Sequence, residues 1–219
     1  MGKIGEWIVT VLGGIMSLLS IPLFFLNMFG GIVAGIWLLF LHRWSEFGLG
    51  IFILFAGSFL LGLVTMPSFL LQTGGGALLQ KGKAITGGIL MLLGSLWIYF
   101  VVYMWCGLIF VMMTAGADGH PWPLALWGYA NAVGPWAYMA SKEGREATGS
   151  TIVVFTAQLG VVAMMIGYLF LGASPNAAGL AGYLFPFIAL GALVHAALGV
   201  AMVWAVKVDQ RLERVAGVF

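Results

Sequence analysis

The sequence predicts an all-α polytopic integral membrane protein, a bundle of about six transmembrane helices with short loops and with N- and C-termini cytoplasmic. Three observations predict it. Of the 219 residues, 62% are hydrophobic and 7% charged, where soluble domains carry about 25% charged residues. A soluble fold of this size keeps too much surface in water to hide so many apolar side chains. Second, the charged residues divide the chain into uncharged runs at 7–41, 47–80, 84–117, 119–141 and 147–206, and about 20 apolar residues suffice to cross a bilayer. Third, the basic residues fall almost entirely on one side once these runs are threaded through a membrane.

The first run is too long for one straight span and too short for two. Lys3, Glu6, Thr10, Gly13, Ser17 and Ser20 form a polar or small stripe opposite Ile4, Trp7, Ile8, Val11, Leu12 and Ile15. That amphipathic spacing fits an interfacial helix over 3–16 followed by a span at 18–41. A single tilted helix, packing its small-residue stripe on a neighbour, fits equally. Lys3 is soon followed by Glu6, and the apolar run continues past Ile36 without a cleavage-type site. The segment therefore reads as an uncleaved first span. "HRWSE" reads as an interfacial turn anchored by Trp44. The second span covers 47–71, with a turn expected at "TGGG" after Gln72, and the third covers 84–113. "GASPNAAG" separates the fifth and sixth spans, 151–171 and 183–206. In the cytoplasmic tail, 207–219, Val208, Leu212, Val215 and Phe219 make an apolar stripe suited to a membrane surface or a partner subunit.

The stretch 121–141 decides the topology. If it stayed outside the bilayer, the basic residues would divide six against three. If it crosses, Lys3, Lys81, Lys83, Lys142, Arg145, Lys207, Arg211 and Arg214 share one side and Arg43 alone lies opposite. Short cytoplasmic loops are enriched in Lys and Arg, so this stretch is expected to cross, and the protein to be a multi-pass resident of the plasma (inner) membrane. Pro121 and Pro123 suit a first helical turn. Pro135 is interior and predicts a kink about 131–134. Trp122 and Trp136 are expected near the two interfaces.

Several function classes fall away. The net charge of +2, without a basic patch, gives no footing for nucleic acid. The single cysteine, Cys106, excludes an intrachain disulfide and reads as a small buried hydrophobe. No Asp, Glu, Lys or Arg lies within the six spans, which argues against an acid-driven pump and leaves no lysine for a Schiff base. "GGGALLQKGK" lacks the spacing of a phosphate loop, and neither G-x-S-x-G nor H-E-x-x-H occurs.

Three constellations remain. His195 lies midway along "LGALVHAALGVAM", with Gly191 and Gly199 on its own face. A haem or chlorophyll-type pigment would find there both an axial ligand and room for its ring; hydrogen bonding to Gln158, Thr156 or Tyr168 is the plainer role. His42, Glu46, Asp118 and His120 supply ligand types for Zn²⁺ or Mn²⁺, but no ligand spacing within either loop. Finally, Pro22, Asn27, Gly30 and Gly31 interrupt the first span, and Gly128, Asn131, Gly134 and Pro135 interrupt the fourth. Interruptions at matching places in two inverted halves point to substrate sites in many transporters, here Asn27 and Asn131. Small-residue pairs Gly31/Gly35, Ser58/Gly62, Ala163/Gly167 and Ala197/Ala201 favour close helix association.

Short loops, uncharged spans and small-residue faces together suggest a non-catalytic integral membrane subunit or scaffold of a larger complex. Its partners would be membrane lipids and either other membrane subunits or a second copy. The alternatives are a small solute or ion transporter with its site between spans 1 and 4, and a pigment- or haem-binding subunit ligated by His195. Nothing in the sequence requires a cofactor.

Overall fold

The computed structural model describes residues 2–115, 120–142 and 148–170, together with positions 186, 189–191, 193–195 and 197. Among these residues no strand occurs. Five helices follow one another: α1 (Gly2–Phe40), α2 (Trp44–Gln80), α3 (Ala84–Thr114), α4 (Pro121–Lys142) and α5 (Thr148–Phe170). Four segments, Gly14–Phe40, Trp44–Gln80, Ala84–Thr114 and Ile152–Phe170, are long and apolar enough to cross a membrane. The chain is an all-α membrane-embedded protein. The expected sixth span lies mostly outside the described residues, and the tail 207–219 lies wholly outside them.

Two turns of the same construction join the first three helices. At the end of α1, Arg43 N–H donates to the Leu38 carbonyl at 2.9 Å and His42 N–H to that of Leu39 at 3.1 Å. At the end of α2, Lys83 N–H donates to the Leu78 carbonyl and Gly82 N–H to that of Leu79, both at 3.0 Å. Each is a Schellman-type stop whose penultimate residue turns left-handed: His42 at φ 57° and Gly82 at φ 83°. Gly82 adopts that conformation without Cβ crowding, whereas for His42 it is uncommon.

The helix thus ends at Gln80, ahead of the turn at Gly82, and not at the "TGGG" segment where a turn was expected. Gly74, Gly75 and Gly76 continue α2, and Gly75 is the one of the three that meets α3. A methyl on Gly75 would stand 2.8 Å from the Gly87 carbonyl oxygen, and one on Gly87 2.8 Å from the Gly75 carbonyl oxygen. Backbones of α2 and α3 therefore touch. Ser68 Oγ secures the same seam by donating to the Gly94 carbonyl at 2.7 Å, and Trp97 Nε1 donates to the Val64 carbonyl at 2.8 Å.

α1 is likewise continuous from Gly2, with no break between residues 16 and 18. Trp7, Val11, Gly14 and Ile15 are all exposed.

The core is built around α4, which packs against α1, α2, α3 and α5. Leu124, Ala125, Tyr129, Asn131, Ala132 and Val133 are fully buried. Pairings along its length fix its direction. Trp127 meets Gly35 of α1 and Gly50 of α2, Gly128 meets Phe110 of α3, and Pro135 meets Gly57 of α2. Cys106 of α3 lies against the Ala132 carbonyl. So α4 runs antiparallel to α1 and α3 and parallel to α2. Trp136, expected at an interface, is 2% exposed and belongs to the core.

Helix lengths leave an overhang. At about 1.5 Å per residue, α4 is about 33 Å long and α2 about 55 Å. From the level of Pro135 and Gly57, α4 continues only to Lys142, while α2 continues to Gln80. The α2–α3 hairpin therefore projects roughly 20 Å beyond the end of α4. Met66, Phe69, Leu70, Ile85 and Ile89 are exposed along it.

Replacing Gly75 by Leu should force the two backbones apart and lower stability by about 1–3 kcal/mol, as overpacking does. Gly76→Leu, where nothing lies within 4 Å, should leave the unfolding temperature in detergent unchanged or slightly higher. Equal effects of the two would refute the seam.

Candidate functional site

The predicted interruptions of the first and fourth spans do meet. A methyl on Gly31 would stand 2.7 Å from the Ala130 Cβ, and one on Gly30 3.4 Å from Leu126. Asn27 Nδ2 donates to the Tyr129 carbonyl at 3.3 Å and the Ala130 carbonyl at 3.5 Å. These carbonyls lie in the turn before Pro135, where the proline ring crowds the Asn131 carbonyl and supplies no N–H to it. Asn27 thus ties α1 to the two carbonyls that immediately precede the one Pro135 leaves without a helical donor. In return, Tyr129 Oη donates to the Leu23 carbonyl of α1 at 3.0 Å. The Gly31/Gly35 pair is consumed by this contact within the chain, whereas Gly62 of the Ser58/Gly62 pair has nothing within 4 Å.

Asn131 behaves differently. Its Nδ2 turns back to the Trp127 carbonyl at 2.8 Å, one turn earlier in the same helix. Its Oδ1 is buried without a partner among the described residues. Gln158 Oε1 on α5 is buried and unpartnered in the same sense.

Trp127 is a residue sequence reasoning passed over. Its Nε1 donates to the Glu46 carbonyl at 2.9 Å, and its ring stacks on Phe47 at a centroid distance of 5.6 Å. Gly50 makes room for it, since a methyl there would overlap the indole. The one available signal was a run of small residues facing a tryptophan across helices, and a single sequence does not show which helices face.

His195 and Gly191 sit beside Tyr99 of α3 and Thr156 of α5. A methyl on Gly191 would stand 2.5 Å from Tyr99 Cε1 and 2.9 Å from Thr156 Oγ1. The His195 ring meets Tyr99 edge-to-face at 5.9 Å, and its Nδ1 is buried without a partner among the described residues. The room made by Gly191 is therefore taken up by the Tyr99 ring. Gly199 lies outside the described residues.

Of the four metal candidates, Asp118 also lies outside them. Glu46 is held by Arg43 at 2.7 Å and accepts from Ser45, while His42 and His120 are exposed. Among the described residues no group of three or more His, Cys, Asp or Glu gathers about one point.

No protein-family model, curated protein or solved structure matches the chain.

Removing a buried interhelical hydrogen bond in a membrane protein costs about 0.6–1.7 kcal/mol. Asn27→Ala should lower stability by about that much in reversible unfolding in mixed micelles. Asn131→Ala, which also removes an unsatisfied oxygen, should come out nearly neutral. A larger loss from Asn131→Ala would reverse the roles given to the two asparagines.

Proposed function

We propose that the protein is a non-catalytic integral membrane subunit, a helical scaffold for a larger membrane complex. It would cross the plasma membrane six times, with both termini cytoplasmic. The overhanging α2–α3 hairpin carries this reading. A hydrocarbon core of about 30 Å matches the length of α4. It leaves the hairpin's last 20 Å or so, apolar-sided and tipped by Lys81 and Lys83, outside the hydrocarbon. An apolar rod beyond the lipid asks for a protein surface to cover it. Polar side chains support the same view, since Asn27, Ser68, Trp127 and Tyr129 in the interior and Trp97 on the surface each donate to a carbonyl of another helix. That pattern fixes helices in place.

A second reading, a small carrier or channel with its site between α1 and α4, rests on the unpartnered Asn131 Oδ1, to which a substrate could bring a donor.

A photo-crosslinking residue at Ile85 or Ile89 should give, in native membranes, a covalent adduct with a second polypeptide. The same residue at Phe55, which is 80% exposed on α2 well short of the hairpin tip, should give none. Absence of any polypeptide adduct from the hairpin would sink the subunit reading.

The topology is open to thiol labelling because the native Cys106 is fully buried. In intact cells an impermeant reagent should modify Ser45→Cys. Lys81→Cys and Lys142→Cys should react only after permeabilisation. Modification of Lys142→Cys from outside would remove the fourth crossing.

A further inference from the structure

Trp127 acts as a wedge. With Gly35 on one side and Gly50 on the other, it holds α1 and α2 apart just inside their shared turn. The gap continues as a groove of about 320 Å³. Met28 and Ile32 of α1 and Ile51 and Leu54 of α2 form its walls, and Trp127 and Ala130 form its floor. The groove opens sideways, on the face the bundle turns to hydrocarbon, where Met28 and Ile32 are 39% and 54% exposed.

Its position within the membrane is informative. It extends from Gly35, near the α1–α2 turn, to Asn27, which meets α4 at the middle of that helix. Eight residues of helix correspond to about 12 Å, close to the roughly 15 Å that one leaflet contributes to a 30 Å hydrocarbon core. The exposed Trp44 marks the interfacial end.

The groove lies between two neighbouring helices. Met28 and Ile32 stand on one and Ile51 and Leu54 on the other, and the two are joined by the three-residue turn 41–43. Helices held that close leave between them room for a chain and not for a third helix. Water has little to bond to, because the lining is apolar apart from Asn27, whose Nδ2 already donates to α4. A single flexible hydrocarbon chain satisfies both width and chemistry.

We propose that this groove holds one phospholipid acyl chain, drawn from the leaflet at the α1–α2 turn and seated against Trp127 and Ala130. The site is independent of the subunit reading.

Protein extracted in mild detergent and delipidated by exchange should retain one more phospholipid, by native mass spectrometry, than Ile32→Trp or Ile51→Trp. Phe55→Trp, exposed but away from the groove, should match the wild type. A wild type without retained phospholipid, or groove-filling variants with the wild-type lipid count, would overturn the proposal. So would a wild-type dimer that both variants dissociate, since the groove would then belong to a second copy. Should neither variant fold, wild-type protein in vesicles containing a phospholipid with a diazirine in mid-chain decides the matter. Adducts on Trp127 or Ala130, which are 4% and 5% exposed, are expected, and labelling confined to exposed positions overturns it.

Discussion

Burial of α4 on every side is the constraint from which the bundle's other features follow. A helix enclosed by α1, α2, α3 and α5 must let four backbones approach it. It must also find partners for its polar groups, as it does for Trp127 Nε1 and Tyr129 Oη though not for Asn131 Oδ1. Ala125, Gly128, Ala130 and Ala132 meet the first demand. The large side chains that remain go to recesses prepared elsewhere: Trp127 over Gly50, and Tyr129 under the Leu23 carbonyl. Asn27 answers the second by supplying donors to the turn that Pro135 disturbs. Sequence features that look like defects in a span, glycines and asparagines above all, are thus the means of enclosure.

This also explains what could be read in advance. Charge placement made 121–141 look like a crossing segment, and the helix found there runs antiparallel to α1 and α3. Its moderate apolarity leaves it outside the four segments apolar enough to cross on composition alone, and most of its side chains face protein. "TGGG" was misleading. Three glycines are a strong turn signal when helices stand apart, yet they serve close approach when two helices touch, and only the partner at Gly87 distinguishes the cases. Trp136 failed for a related reason. Position near a helix end suggested an interface, but the longer neighbouring helices carry the core past that level. Near His195, the one described glycine of the pair, Gly191, does admit a close neighbour, the Tyr99 ring.

The two ends of the bundle are built for different purposes. At one, the turn Leu41–Arg43 is short and clamped, with Arg43 bonded to Glu46 and Trp127 reaching the Glu46 carbonyl. Trp127 ties this turn to α4. At the other, α1 and the α2–α3 hairpin continue past Lys142, and the hairpin holds itself together through Gly75, Gly87 and the Ser68–Gly94 bond. Such self-sufficiency is unnecessary for a segment supported by the bundle. It is what a segment needs where α4 no longer supports it.

Trp127 links these arrangements. It stacks on Phe47, ties α4 to the start of α2, and keeps α1 from closing onto α2. A smaller residue would let the helices collapse together, filling the recess at the cost of the interhelical bond. The large ring instead leaves a recess of one-chain width on the lipid side, and an apolar recess in a bilayer is filled by whatever solvates it most cheaply. A lipid chain in that place would complete the packing of α1, whose flank is widely exposed, and so act as part of the core that α4 organises.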